Sequence, residues 1–283
     1  MLLRKALVCS VLPLAAALSL NCFAAVTAEQ FAQYMAPADL AKLNENQKRG
    51  LEIAIEQDMS GQGWVDSQAD MNMILRNQHG DESKRELRLK ALEVIGDGDK
   101  SLAIFDQPKD VQGTAFLTFS HTAEADEQWI YLPALKRVKR INSSNKSGPF
   151  MGSEFAYEDI ASFEVKKYDF NYLKNENYNG LDCYVLESIP RDKNSGYTKI
   201  ISWIDKEHYR IQKADFYDRK NALLKSLQTT DYKVFLDKFW RPGTSEMKNV
   251  QTGKSTVMSF KDYKFNNGFS TDDFNKNSLQ RAK

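Results

Sequence analysis

Gln128-Trp129-Ile130-Tyr131-Leu132-Pro133-Ala134-Leu135-Lys136-Arg137-Val138-Lys139-Arg140-Ile141 places two short extended segments around a proline turn. The first, Gln128 to Leu132, is apolar on both sides, because successive side chains of a strand point to opposite faces. Such a strand needs cover on each face. Ile200-Ile201-Ser202-Trp203-Ile204 has the same character. The second segment, Lys136 to Ile141, carries four cations in five positions: Lys136, Arg137, Lys139 and Arg140. At the rim of a greasy surface these residues would contact a partner or an anionic head group. The alternative is a solvated strand face.

Working outward, the pattern is one of short strands separated by turn signals. Thr114 to Ser120 alternates, with Ala115, Leu117 and Phe119 on one face. Further strands are expected over Lys100 to Phe105, Leu181 to Ser188, Lys199 to Ile204, Tyr209 to Tyr217, Ser226 to Leu236 and Ser255 to Phe265. Asp97-Gly98, Asn179-Gly180 and Asn266-Asn267-Gly268 are hairpin signals. Leu87, Ala91, Val94 and Ile95 also fit a helix, but the following Asp97-Gly98 favours a strand with a bulge near Ala91. About ten strands in one domain imply an antiparallel sheet or barrel. One face can pack on helices. A sheet curved round its own interior would cover the other and enclose a greasy cavity, as in small ligand-holding barrels; an ordinary two-layer core with nothing inside is the alternative.

Before Met71 the pattern is helical. Thr27 caps a segment with Phe31, Tyr34 and Met35 on one side, and Pro37 stops it. Asn44 to Met59 carries Leu51, Ile55 and Met59 at helical spacing and ends at Gly61-Gln62-Gly63. Still earlier, Arg4 and Lys5 precede the apolar stretch Ala6 to Leu20, which leads into Asn21-Cys22-Phe23-Ala24-Ala25. This reads as a secretory signal peptide over 1–24, cleaved near Ala24 or Ala25. A lipoprotein anchored at Cys22 is disfavoured by Asn21 before it, where lipid attachment wants a small residue. The expected organisation is therefore a signal peptide (1–24), a helical region (25–70) and a curved β domain (71–283). The mature chain is not expected to be integral to a membrane.

Chemistry is sparse. The 39 basic and 38 acidic residues nearly cancel, and without Arg4 and Lys5 the balance turns slightly negative, so nothing points to nucleic acid. His79, His121 and His208 lie apart, and neither a nucleophile elbow nor a Walker-type loop occurs. No catalytic residue, metal site or cofactor is assigned. Once the leader is removed Cys183 has no intramolecular partner and reads as a small buried hydrophobe. One loop is unusual: Gly148-Pro149-Phe150-Met151-Gly152-Ser153-Glu154-Phe155-Ala156-Tyr157-Glu158-Asp159-Ile160 is far more apolar than water-facing loops are. Phe150, Met151 and Phe155 would form a flap over a cavity, or pack statically on the core.

Four stretches carry a resemblance. Trp129 to Ile141 followed by Gly148-Pro149-Phe150-Met151-Gly152-Ser153, together with Trp203-Ile204-Asp205-Lys206-Glu207 and the ending Phe265 to Phe274, resembles the outer-membrane lipoprotein-sorting protein family, in its LolA-like branch. The resemblance implies an α+β, mainly β fold: a strongly curved antiparallel sheet, an unclosed barrel, with a helical lid enclosing a hydrophobic cavity. It implies a non-catalytic carrier or accessory of acyl lipid or lipoprotein in the Gram-negative periplasm, with an inner-membrane RND-type transporter as a possible partner. A protein-interaction module of the same fold without cargo is the alternative function. On this reading Leu117, Phe119, Trp129, Tyr131 and Trp203 would line the lipid cavity. Walls of Met and aromatic residues suit a carrier, since too tight a cavity would not release its load.

Overall fold

The computed structural model describes residues 26–281. The expected signal peptide, Cys9 and Cys22 lie outside the described residues. Fifteen strands follow in chain order: β1 (Asp66–Arg76), β2 (Glu82–Leu92), β3 (Lys100–Gln107), β4 (Ala115–Phe119), β5 (Glu127–Leu132), β6 (Arg137–Ile141), β7 (Tyr168–Tyr178), β8 (Leu181–Pro190), β9 (Tyr197–Asp205), β10 (Ile211–Asp218), β11 (Leu223–Thr230), β12 (Lys233–Phe235), β13 (Phe239–Arg241), β14 (Thr244–Asn249) and β15 (Ser255–Phe265). Thirteen of them form one antiparallel sheet in the order β6-β5-β4-β3-β2-β1-β15-β14-β11-β10-β9-β8-β7, and β12 with β13 forms a separate hairpin. The edge strands β6 and β7 do not pair, so the sheet stays open.

Its curvature follows from who touches whom. Ile130 on β5 and Tyr197 on β9 belong to one hydrophobic cluster although nine strand steps separate them. In a flat sheet that is about 43 Å, at roughly 4.8 Å per step. Only a sheet wrapped around a common filling brings them together. That filling is the connection from β6 to β7, residues 142–167, which runs from one edge of the sheet to the other and carries Phe150, Phe155, Tyr157 and Ile160 into the interior.

Four α-helices complete the described chain: α1 (Ala28–Tyr34), α2 (Pro37–Leu40), α3 (Glu45–Gly61) and α4 (Lys276–Arg281). Thr27 and Asn44 close capping boxes with Gln30 and Gln47, which satisfies the free N–H groups at the starts of α1 and α3. Helix α3 buries Leu51, Ile53, Ala54 and Ile55 against Phe170, Leu186 and Ile204 on the concave side of β7, β8 and β9. Gly50 makes this close seating possible, since a Cβ there would lie 2.8 Å from the backbone nitrogen of Tyr172. On the opposite, convex side, Phe274 and Leu279 of the C-terminal segment cover β3, β4 and β5.

The segment open to two readings is strand β2, paired with β1 in unbroken register from Glu82 to Leu92. The expected bulge near Ala91 is replaced by a shift between Glu86 and Leu87 on the β3 side. Val94 and Ile95, which spoiled the alternation, lie beyond the strand in the turn to β3. The sheet also begins five residues earlier than expected, at Asp66, whose carboxylate is buried and accepts backbone N–H groups from Asn267, Gly268 and Phe269.

Candidate functional site: the hollow of the curved sheet

Register decides which side chains face the hollow. Phe116 pairs with Ile130 across β4 and β5, and with Ala103 across β3 and β4, and all three join the cluster around Phe150. The alternate residues therefore face outward. Leu117, Trp129, Phe119 and Tyr131 gather with Phe274 and Leu279 on the convex side. Trp129 has Phe119 at 5.1 Å and the Lys276 ammonium at 4.6 Å above its ring. Trp203 also faces out, with the Lys213 ammonium 4.1 Å above its ring, while its neighbours Ser202 and Ile204 face in. The structure thus places all five residues expected to line the cavity on the convex face. It brings Phe150, Met151 and Phe155 into the interior cluster.

Two apolar cavities flank that loop. One, of about 420 Å³, lies among Met71, Leu89, Ala103, Phe116, Met258 and Phe260. The other, of about 180 Å³, lies among Ile200, Ile204, Ala214, Phe216 and Met247. Phe155, Asp159 and Leu227 border both. Met71, Met73, Met247 and Met258 all face the interior, giving walls of flexible, polarizable side chains that conform to irregular apolar matter. Two of these methionines give little signal in the sequence, since Met71 lies between Asp70 and Asn72 and Met247 between Glu246 and Lys248.

The loop is held by buried polar contacts as well as by its rings. Lys225, on the concave face of β11, donates to Asp159 Oδ2 at 2.7 Å and to the Glu154 carbonyl at 2.8 Å. The two side chains are only 5% and 8% exposed. Tyr197 donates its hydroxyl to Asp159 Oδ1 at 2.8 Å, and the Ala156 N–H points to Asp159 Oδ2 at 2.7 Å. Asn249 donates to Glu154, Gln128 to the Tyr157 carbonyl, and Arg85 to the Met151 carbonyl. Glu158 accepts from Ser195 and Gly196 on the β8–β9 connection. Apart from the Ala156–Asp159 contact inside the loop, these tethers reach β2, β5, β9, the adjacent strands β11 and β14, and the β8–β9 connection. The loop is thus held by many separate polar contacts rather than by one.

A polar mouth of about 580 Å³ opens beside the hollow, between the C-terminal end of α3, the β2–β3 turn and Ser162 to Lys166. Burial, reinforced by neighbouring carboxylates, pushes the Glu164 carboxyl up to about 8, and burial pushes Asp99 up to about 6. Asp58, also raised by burial, accepts from Tyr34 at 2.6 Å and from Gln62 at 2.7 Å. His121 Nδ1 lies 2.9 Å from Asp97 at this end, with no Ser, Thr or Cys side chain hydrogen-bonded to the ring among the described residues. Cys183 is fully buried, and burial pushes its thiol up to about 11.

The four cations of the opening stretch sit on and just before edge strand β6, all exposed. Arg140 pairs with Glu127 at 2.9 Å, while Lys136, Arg137 and Lys139 have no ion pair among the described residues. Charges on an edge strand block sheet-to-sheet pairing. Among the described residues no helix is long and apolar enough to cross a membrane.

An open, strongly curved antiparallel sheet filled by a helix and an apolar crossing loop defines a class of protein with a lined hollow. A family model described only as that of an uncharacterized protein matches residues 97–281. The chain is 62% identical to an outer membrane lipoprotein-sorting protein domain from Vibrio parahaemolyticus, over 83% of this chain and 100% of that one, with a TM-score of 0.82. It is 29% identical to a DUF1329 family protein from Desulfovibrio piger, with the same coverage and a TM-score of 0.79. A LolA superfamily protein from Nitrosomonas europaea shares the fold at 21% identity and a TM-score of 0.65, again over 83% of this chain and 100% of that one. A search of the curated proteins found none that matches. The chain belongs to the outer-membrane lipoprotein-sorting protein family, with a LolA-like fold.

Proposed function

We propose that this protein is a periplasmic carrier or accessory that takes up acyl chains of a lipid or lipoprotein in the hollow of its sheet. The observation that carries the reading is the pair of apolar cavities around a crossing loop whose tethers are polar and replaceable. Each methylene taken out of water is worth about 0.8 kcal/mol, so a chain of about 16 carbons needs shielding on the order of 10 kcal/mol in transit. Displacing Phe150 and Phe155 would merge the two cavities into a volume of the size that small-molecule sites occupy. The walls would be Met71, Phe116, Met247, Met258, Leu227 and Phe216, of which Phe116 stands one residue from the expected Leu117 and the rest lie on strands where no lining was expected. Membership of a lipoprotein-sorting family supports this cargo and the periplasmic location, and the leader over 1–24 would supply the export.

An inner-membrane RND-type transporter remains the proposed partner. The exposed β6 cations favour an interaction role for that edge, either beside transport or instead of it. The two roles separate by experiment. Reversing Lys136, Arg137, Lys139 and Arg140 to Glu should abolish partner pull-down while uptake of a fluorescent fatty acid persists. Unchanged pull-down would remove the edge from the account. For the cargo itself, native mass spectrometry of protein purified from its periplasm should show bound acyl mass, and absence of both this and fatty-acid uptake would defeat the carrier reading.

A further inference from the structure

We propose that Arg241 binds the anionic head of the cargo, so that the ligand is a long-chain acyl compound bearing a carboxylate or phosphate rather than a neutral acyl lipid. The inference rests on the carrier reading and narrows it. Arg241 ends β13 and borders both the 420 Å³ apolar cavity and the polar mouth. It is the point at which a chain lying in the first would present its head to the second.

The state of its guanidinium supports the assignment. It is partly buried and, among the described residues, donates to one protein acceptor, the Trp240 carbonyl, at 3.2 Å. No carboxylate lies within 4.0 Å of it among the described residues. Trp64, Phe239 and Phe265 surround it at 5.7 to 5.9 Å from guanidinium carbon to ring centre, near the outer limit of useful cation–π contact. These rings shield the face of the group and leave its in-plane N–H donors uncommitted. Lys225, another cation of the interior, is fully matched by Asp159, so a ligand anion gains little there. A planar fork of N–H donors is the geometry that grips a carboxylate or phosphate with two parallel hydrogen bonds.

No carboxylate of the mouth forms an ion pair with Arg241 among the described residues, although Asp99 and Glu93 act on its charge from further off. Glu93 is held by the N–H groups of Gly63 and Val65 at 2.6 and 2.9 Å, Asp58 by Tyr34 and Gln62, and Asp97 by His121 and Thr122. Asp99 accepts from the Val94 N–H at 3.2 Å. Glu164 keeps its proton at neutral pH. An oxyanion at Arg241 therefore meets less repulsion than the number of acidic residues implies.

The test is a titration of the mature chain, followed by native mass spectrometry, with oleic acid, a dioleoyl phosphatidylglycerol and the neutral dioleoylglycerol, all delivered from one detergent. Both anionic ligands should bind about ten-fold or more tightly than dioleoylglycerol, as a charge-assisted pair implies. R241Q should erase that preference, bringing both anionic ligands down to the affinity the same variant has for dioleoylglycerol; R241K, which keeps the charge without the fork, should lower the preference several-fold. The ratio of oleate to phosphatidylglycerol binding tells a carboxylate head from a phosphate head. Equal binding of all three ligands, or a full anionic preference in R241Q or R241K, would overturn the head-group assignment and leave the carrier reading standing. Uptake of none of the three by the wild type would overturn both.

Discussion

Lys225 and Asp159 show how a single pair sets the state of the hollow. Both charges are out of water, so each is tolerable only while the other is present. Lys225→Ala should destabilise the fold by about 3–5 kcal/mol in urea melts and raise amide exchange over 150–160, since Asp159 then stands charged and unmatched. Lys225→Met with Asp159→Leu should recover most of that stability, because an apolar pair of similar volume removes the desolvation cost. Recovery no better than in the single variant would mean that the hydrogen bonds from Tyr197 and Ala156 dominate. Glu164 gives a second reading at this scale. It holds its proton to about pH 8 when folded but has an ordinary value of 4.5, so the folded state binds the extra proton between those limits and stability falls as pH rises through them. Glu164→Gln should leave stability unchanged below pH 4.5 and raise it at pH 8 by on the order of 1–3 kcal/mol. A variant and wild type with parallel pH profiles would contradict the shift. None of these polar partners was legible beforehand, because a Lys in one strand and an Asp in a distant loop carry no spacing signal.

At the scale of elements, the sequence made the strands legible wherever alternation or an apolar run was strong, and β15 runs over the expected Ser255 to Phe265. Strands β7 and β14 escaped because polar residues interrupt their apolar positions: Lys174, Asn175, Glu176 and Asn177 run together in one, and Glu246 and Lys248 flank Met247 in the other. The cavity wall was assigned one residue out of phase for a related reason. Period-two alternation sorts side chains into two sets, but when both faces are covered it does not say which set is concave. Trp129 and Leu117 looked like a lining, yet the short segment from Phe269 to Leu279 covers them from outside. Leu279→Ala should therefore cost about 2–4 kcal/mol and shift Trp129 emission to the red, read in a background where Trp64, Trp203 and Trp240 are Phe. Unchanged emission would place Trp129 elsewhere. The crossing loop was legible from its composition, since so much apolar surface needs a destination. Phe150 has Phe116 at 5.1 Å and Phe105 at 6.0 Å. Phe150→Ala should be less stable than wild type by about 3–5 kcal/mol in urea melts, through the loss of packed area. It should also speed fatty-acid uptake, because the loop that separates the cavities would be loosened.

For the whole molecule, an open sheet wrapped around a removable filling is a physical solution to carrying apolar cargo through water. On the proposed carrier reading the filling would stand in for cargo when none is held, and cargo and loop would compete for the same apolar surface. Leu227 lies at the junction of the two cavities, bordering both with Phe155 and Asp159. The most direct measurement is uptake of a fluorescent fatty acid by wild type and by Leu227→Trp, with folding of both verified by circular dichroism. Saturable uptake by wild type, reduced ten-fold or more when the tryptophan fills the junction, is the predicted result. Equal uptake by the two proteins would place the acyl site outside the hollow, and no uptake by either would contradict the carrier account itself.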